Sequence, residues 1–228
     1  MNTNRKTAVL VGGLFIIGTV AGVLSGVVTG PILSGPDYLA KIAANQNQLA
    51  AGALLVLIMG LALALVPIVL FPVFKKYNET FALGYLVFRG ALETVCYLPW
   101  VIGWLVLGTL SLEFVKAGAS GSSYFQSLGA LIQGTMEWNS QISYIIFCLG
   151  ALMFYYVFYQ SKLIPRWLSI WGLAGTILYL AEPLLAVFGA KYEILFAALA
   201  VQEMVLAIWL IVKGFNPSAI AALSAKTE

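Results

Sequence analysis

The sequence predicts an all-α polytopic membrane protein, a bundle of six transmembrane helices with both termini cytoplasmic. Three observations predict it. Of 228 residues, 61% are apolar and 9% charged, whereas a soluble domain is nearer a quarter charged. Six apolar stretches are each long enough to cross about 30 Å of hydrocarbon as a helix. Lysine and arginine collect on alternate connections, the bias expected when positive loops stay inside.

The first stretch, 8–28, follows Arg5 and Lys6. Its apolar run exceeds that of a secretion signal and five further spans follow, so it reads as a retained helix. Gly18, Gly22 and Ser25 lie on one helical face and suit close helix packing. Gly30-Pro31 and Gly35-Pro36 turn the chain out of that span. Residues 38–43, YLAKIA, have the pattern of a short interfacial helix. The second span, 49–71, returns to an inner turn, PVFKKYNET, and the third, 81–110, contains Pro99 and is longer than a crossing requires, which predicts a tilt, a kink or an extension beyond the bilayer. Residues 111–139 read as a longer outer connection with a Gly/Ser-rich patch at 118–123. Spans 140–159, 168–188 and 194–212 complete the set, the first two joined by the inner turn QSKLIPRW. The whole chain, 1–228, reads as a single integral membrane domain.

With the N-terminus inside, the inner face collects Arg5, Lys6, Lys75, Lys76, Lys162, Arg166, Lys213 and Lys226, against Lys41, Lys116 and Lys191 outside. The net charge of +3 comes from these scattered positions. No basic block offers a nucleic-acid footprint, so the partners expected are membrane lipids.

Several chemistries are excluded or weakened by inventory. There is no histidine, and the single aspartate, Asp37, falls in an outer loop. His-dependent catalytic pairs, haem ligation and HExxH metal sites are therefore absent. Cys96 and Cys148 lie within spans, distant in sequence, and read as free small hydrophobes. No phosphate-cradling glycine loop is present. The expected inventory holds no metal and no cofactor.

What chemistry remains lies within the spans. Arg89 and Glu93 sit four residues apart in the third, a spacing that pairs them on one helical face. Glu203 lies at similar depth in the sixth and is the expected partner across helices, and Glu182 lies in the outer part of the fifth beside Pro183. Ionisable residues at membrane depth are costly and mark candidate sites. Tyr85, Tyr97 and Tyr179 are candidate pocket-lining residues beside them. The competing reading is structural: the cluster ties helices together, the arginine snorkels, and the aromatic residues pack or anchor at the interface.

Four segments carry a family resemblance: residues 5–26 (RKTAVLVGGLFIIGTVAGVLSG), 70–93 (LFPVFKKYNETFALGYLVFRGALE), 155–175 (YYVFYQSKLIPRWLSIWGLAG) and 203–215 (EMVLAIWLIVKGF). They closely resemble the bacterial multi-pass membrane family catalogued as domain of unknown function 4386. The pattern falls on Phe71-Pro72, Asn78-Glu79, Arg89, Glu93, the Leu163 to Trp167 turn, Glu203 and Lys213-Gly214-Phe215. The resemblance implies a bacterial inner or cytoplasmic membrane location and carries no catalytic role with it.

Three function classes stay open. The first is a small-molecule or ion transporter or membrane ligand-binding protein using Arg89, Glu93 and Glu203, with Glu182 guarding the outer approach. The second is a structural, assembly or regulatory membrane protein whose polar network fixes packing. The third is an intramembrane enzyme acting on a lipid-like substrate, for which no catalytic spacing is visible.

Overall fold

The computed structural model describes residues 3–118 and 122–225. The described residues form an all-α bundle in which six helices are long and apolar enough to cross a membrane. The crossing helices are α1 (Thr3–Leu33), α3 (Gln46–Phe74), a continuous rod Glu79–Ala117, α6 (Ser122–Ser161), α7 (Arg166–Ala186) and a final rod Glu193–Val212. The third rod joins α4 (Glu79–Tyr85), a π-helical turn (Leu86–Leu92) and α5 (Glu93–Ala117), and the last joins a 3₁₀ turn (Glu193–Phe196) to α8 (Ala197–Val212). Short helices α2 (Tyr38–Ala44) and α9 (Pro217–Ala225) complete the chain.

The spans pack as a ring in the order α1, α3, α5, α6, α7, α8, with α8 returning to α1. Small residues set the tightest seam. A Cβ on Gly18 or Gly22 would stand 2.7 Å from Leu63 or Met59 of α3, and Ser25 Oγ donates to the Gly52 carbonyl at 3.0 Å. With lipid outside there is little hydrophobic drive between helices, so this close approach is what holds α1 against α3. The outward faces stay apolar and exposed, as at Leu10, Ile17, Leu61 and Ile102. The chain is a multi-pass membrane protein.

Both ends of the chain meet at one end of the bundle. Arg5 donates to the carbonyls of Leu210 and Val212 at 3.0 and 3.1 Å, satisfying acceptors that the end of α8 leaves open. Asn216 N donates to the Leu163 carbonyl at 2.8 Å, tying the α6–α7 turn to the segment that leads into α9. This half is filled by an aromatic core of Phe15, Phe74, Tyr85, Phe154, Tyr155 and Phe158. In the opposite half, a second core gathers Ile32, Leu39, Ile42, Leu49, Trp104 and Leu107.

Two segments differ from the sequence expectation. Residues 111–117 and 122–139 are helical rather than a connection, so α6 runs 40 residues, about 60 Å. The lower hydropathy that suggested a loop comes from side chains that reach the α1–α2 corner: Gln126 and Gln133 donate to the carbonyls of Pro36 and Leu33. Within the Gly/Ser-rich patch, residues 119–121 lie outside the described residues, as does Lys226. Helix α2 forms where a short helix was expected, but its Leu39 and Ile42 are fully buried and it packs on α5. It plugs the end of the bundle instead of lying on lipid.

Candidate functional site

The π turn organises the site. Tyr85, Arg89 and Glu93 are buried at successive steps of four. A straight α-helix turns 100° per residue, so two such steps overshoot by about 80°. A π turn takes up one extra residue and brings the three side chains back to one face. Gly90 lets the widened turn lie against α3, since a Cβ there would stand 3.2 Å from Pro67 Cγ.

Arg89 and Glu93 form a buried ion pair. Arg89 Nη1 donates to both Glu93 carboxylate oxygens, at 2.7 and 2.8 Å. The Tyr97 hydroxyl donates to Glu93 Oε1, so that carboxylate receives donors from both sides. The guanidinium carbon lies 4.6 Å from the centroid of the Phe147 ring on α6, a cation–π contact. Such pairing is required of two charges held this deep, because either alone would carry an uncompensated desolvation cost.

Glu203 stands apart from that saturation. Its Oε1 is 4.0 Å from Arg89 Nη2, close enough for attraction and too far for a hydrogen bond. Its side chain keeps 18% of its surface accessible, against 4% for Arg89 and 3% for Glu93. Together the three groups carry a formal charge of −1.

That accessibility opens onto a cavity of about 340 Å³, lined by residues from all six spans. Arg89, Glu93 and Glu203 form one wall, and Tyr97, Trp100, Trp104, Tyr144, Phe147 and Tyr179 surround the space. Asn139, Ser140 and Ser143 add polar edges from α6. Asn139 Nδ2 donates to the Cys96 carbonyl at 2.8 Å, next to the Val95 carbonyl that Pro99, lacking an N–H, leaves without its helical donor. Cys96 itself faces the cavity, whereas Cys148 is fully buried.

The sequence candidates divide. Arg89, Glu93 and Glu203 come together, with Tyr97 and Tyr179 on the cavity wall. Tyr85 is outside the cavity and packs Phe74 and Phe154 at ring distances of 6.0 and 4.9 Å. Glu182 is buried in α7 but does not line the cavity, and its Oε2 has no hydrogen-bond partner among the described residues. Trp100, Tyr144 and Asn139 were not singled out as site residues. Sequence reading also passed over Gln202. It sits beside Glu203 and links three spans: it accepts from the Tyr155 hydroxyl at 2.6 Å and donates to the Leu168 carbonyl at 3.0 Å. A glutamine next to a glutamate in an apolar run was the available signal. No group of acidic, cysteine or histidine side chains among the described residues could hold a metal ion.

No curated protein and no solved structure shows significant similarity to the chain. A family match does exist and spans residues 10–214, nearly the whole chain. The chain belongs to the family described as Domain of unknown function (DUF4386).

Proposed function

We propose that this DUF4386 protein is a membrane ligand-binding protein or small-molecule transporter whose ligand occupies the central cavity. The observation that carries this reading is Glu203. It is a carboxylate at membrane depth that faces a cavity of drug-like volume and accepts no hydrogen bond from the described residues, Arg89 standing 4.0 Å away. A ligand bearing a positive charge or a hydrogen-bond donor supplies what Glu203 lacks, and the aromatic walls accept the rest of such a molecule. Arg89 and Glu93 have a different part. They saturate each other, so they form the fixed electrostatic wall against which Glu203 is held.

The second reading, a purely structural polar cluster, draws on that same saturation: the Arg89–Glu93–Tyr97 chain alone would serve packing. It accounts for Glu203 only as a second, looser counter-charge to Arg89 and leaves the cavity without a purpose. Two readouts separate the readings in the full-length protein reconstituted in lipid nanodiscs. Under the ligand reading, a small neutral thiol reagent, N-ethylmaleimide, labels Cys96 in the folded protein, and organic amines raise the unfolding temperature of the native chain but not of Glu203→Gln. A Cys96 that reacts only after unfolding, with no amine-dependent shift, would leave packing as the function of the cluster.

A further inference from the structure

Resting on that reading, we infer that the ligand is a lipid-soluble amine, admitted sideways from the membrane through a gap between α1 and α8.

The seam between these two helices is closed tightly at the end that holds the chain termini. Near the chain termini Arg5 bonds the last carbonyls of α8. Further along, Gly12 lies directly on Ala207, whose carbonyl would stand 2.6 Å from a Cβ at position 12. Thr19 and Ala200 each stand two turns beyond this crossing, about 10 Å along the antiparallel pair. There both residues line the cavity. The cavity is not sealed, and the lining residues that are exposed are Gly26 on α1 and Ala200 on α8. A Cβ on Gly26 would meet nothing within 4 Å. In that register Ala200 is level with Thr19 and Gly26 lies seven residues, about 10 Å, further along α1, so the exposed part of the lining runs from Ala200 to Gly26 and carries the two smallest side chains available.

Its surroundings are apolar. Val23 and Val27 of α1 and Val201 of α8 flank the gap and are 61, 65 and 54% exposed. In a membrane-spanning helix such a surface faces acyl chains, so a molecule arriving by this route is dissolved in the bilayer. The inner end of the route is Glu203, an acceptor without a hydrogen-bond donor among the described residues, with Phe147, Tyr144 and Tyr179 around the cavity. An ammonium group on an apolar body matches both ends: the charge meets the carboxylate and the aromatic faces, and the body fills the mouth.

Cys96 on the cavity wall is the reporter. The full-length Cys148→Ala protein in nanodiscs is treated with N-dodecylmaleimide, which partitions into lipid, or with a positively charged, water-soluble methanethiosulfonate, adducts at Cys96 are followed by mass spectrometry, and each rate is divided by the same reagent's rate with the unfolded chain. The lipophilic reagent is expected to label faster. Gly26→Trp and, independently, Ala200→Trp are expected to slow it about tenfold or more, equivalent to ~1.4 kcal/mol of added barrier. Gly30→Trp, also in open space on α1 but away from the cavity, is expected to leave the rate unchanged. Dodecylamine is expected to protect Cys96 in the otherwise native chain and not in Glu203→Gln, with dodecanol protecting neither.

Equal labelling with and without the tryptophan plugs, in protein that stays folded and monodisperse, would overturn the lateral route. So would faster labelling by the charged reagent, which would place the mouth in water while leaving the cavity reading intact. Equal protection by dodecanol would overturn the amine assignment alone. A Cys96 that no reagent reaches would remove the route and the proposed function together.

Discussion

Arg89 spends one guanidinium nitrogen on both oxygens of Glu93, at 2.7 and 2.8 Å, and the two residues are 4 and 3% exposed. Breaking such a pair from one side leaves the other charge buried and alone, which costs about 3–5 kcal/mol in folded proteins. Arg89→Met and Glu93→Leu are each expected to lower stability by an amount in that range. The double variant is expected to recover part of the loss, because Arg89 and Glu93 no longer strand each other, while Glu203 still lacks its cation. Thermal unfolding of the four proteins in one detergent measures the coupling, and additive losses would show that the pair contributes nothing as a pair.

Tyr97 tests the same carboxylate from its other side. Its hydroxyl donates to Glu93 Oε1, and hydrogen bonds to charged groups contribute about 1.5–3 kcal/mol. Tyr97→Phe keeps the ring on the cavity wall and removes that donor. It is expected to destabilise the native chain by that amount and to have no effect in a Glu93→Leu background, as read by the same unfolding measurement.

The pair itself was legible in the sequence because a charge inside an apolar run has few partners and the i,i+4 spacing supplies one. The six crossings were legible for a similar reason, since length and hydropathy decide them. What the residues around Arg89 did not announce was the π turn, although the steps from Tyr85 to Arg89 to Glu93 to Tyr97, all of four, contain the signal: a straight α-helix cannot keep four such residues on one face. Glu182 shows the converse limit. A glutamate in a span is equally conspicuous wherever it lies, and only packing decides that Glu203 reaches the cavity while Glu182 does not. Helix ends at 111–139 were obscured because hydropathy reports the membrane, and a helix that projects beyond it becomes polar without ending.

Neighbouring glycines on α1 are expected to respond in opposite ways. A side chain at position 12 meets the Ala207 carbonyl at 2.6 Å and Ile211 Cγ1 at 2.7 Å, whereas one at position 13 meets nothing within 4 Å. Gly12→Val forces backbone apart and is expected to destabilise by about 1–3 kcal/mol. Gly13→Ala is expected to be neutral or to gain up to about 1 kcal/mol from helix propensity. Unfolding midpoints of the two variants in parallel decide this, and equal losses would mean that the α1–α8 crossing is looser than its geometry.

Gln202 should behave as a keystone of the half that packs around Tyr155. Gln202→Leu strands the buried Tyr155 hydroxyl and removes the second donor from the Leu168 carbonyl, which keeps its intrahelical bond in α7. An unsatisfied buried group carries about 1–3 kcal/mol. Adding Tyr155→Phe removes that orphan, so the double variant is expected to be more stable than Gln202→Leu alone. A double variant no better than the single would show that the Tyr155 hydroxyl finds another partner once Gln202 is gone.

The π turn makes the sharpest prediction about the chain's length. A π turn accommodates one residue more than an α-helix of the same height. Deleting Ala91, which is exposed at residues 86–92, lets the segment rewind as α-helix while Tyr85 on one side and Tyr97 on the other keep their orientations. Deleting Leu105, also exposed but in regular α-helix, has no surplus to absorb it and rotates every later residue of α5 by about 100°. The Ala91 deletion is therefore expected to yield a folded, monodisperse protein with weakened Arg89–Glu93 coupling, and the Leu105 deletion to fail to accumulate in the membrane. Quantifying membrane-extracted protein for both decides the matter: if the Ala91 deletion is lost as completely as the Leu105 deletion, the turn holds no spare residue, and the shared face of Tyr85, Arg89 and Glu93 needs another cause.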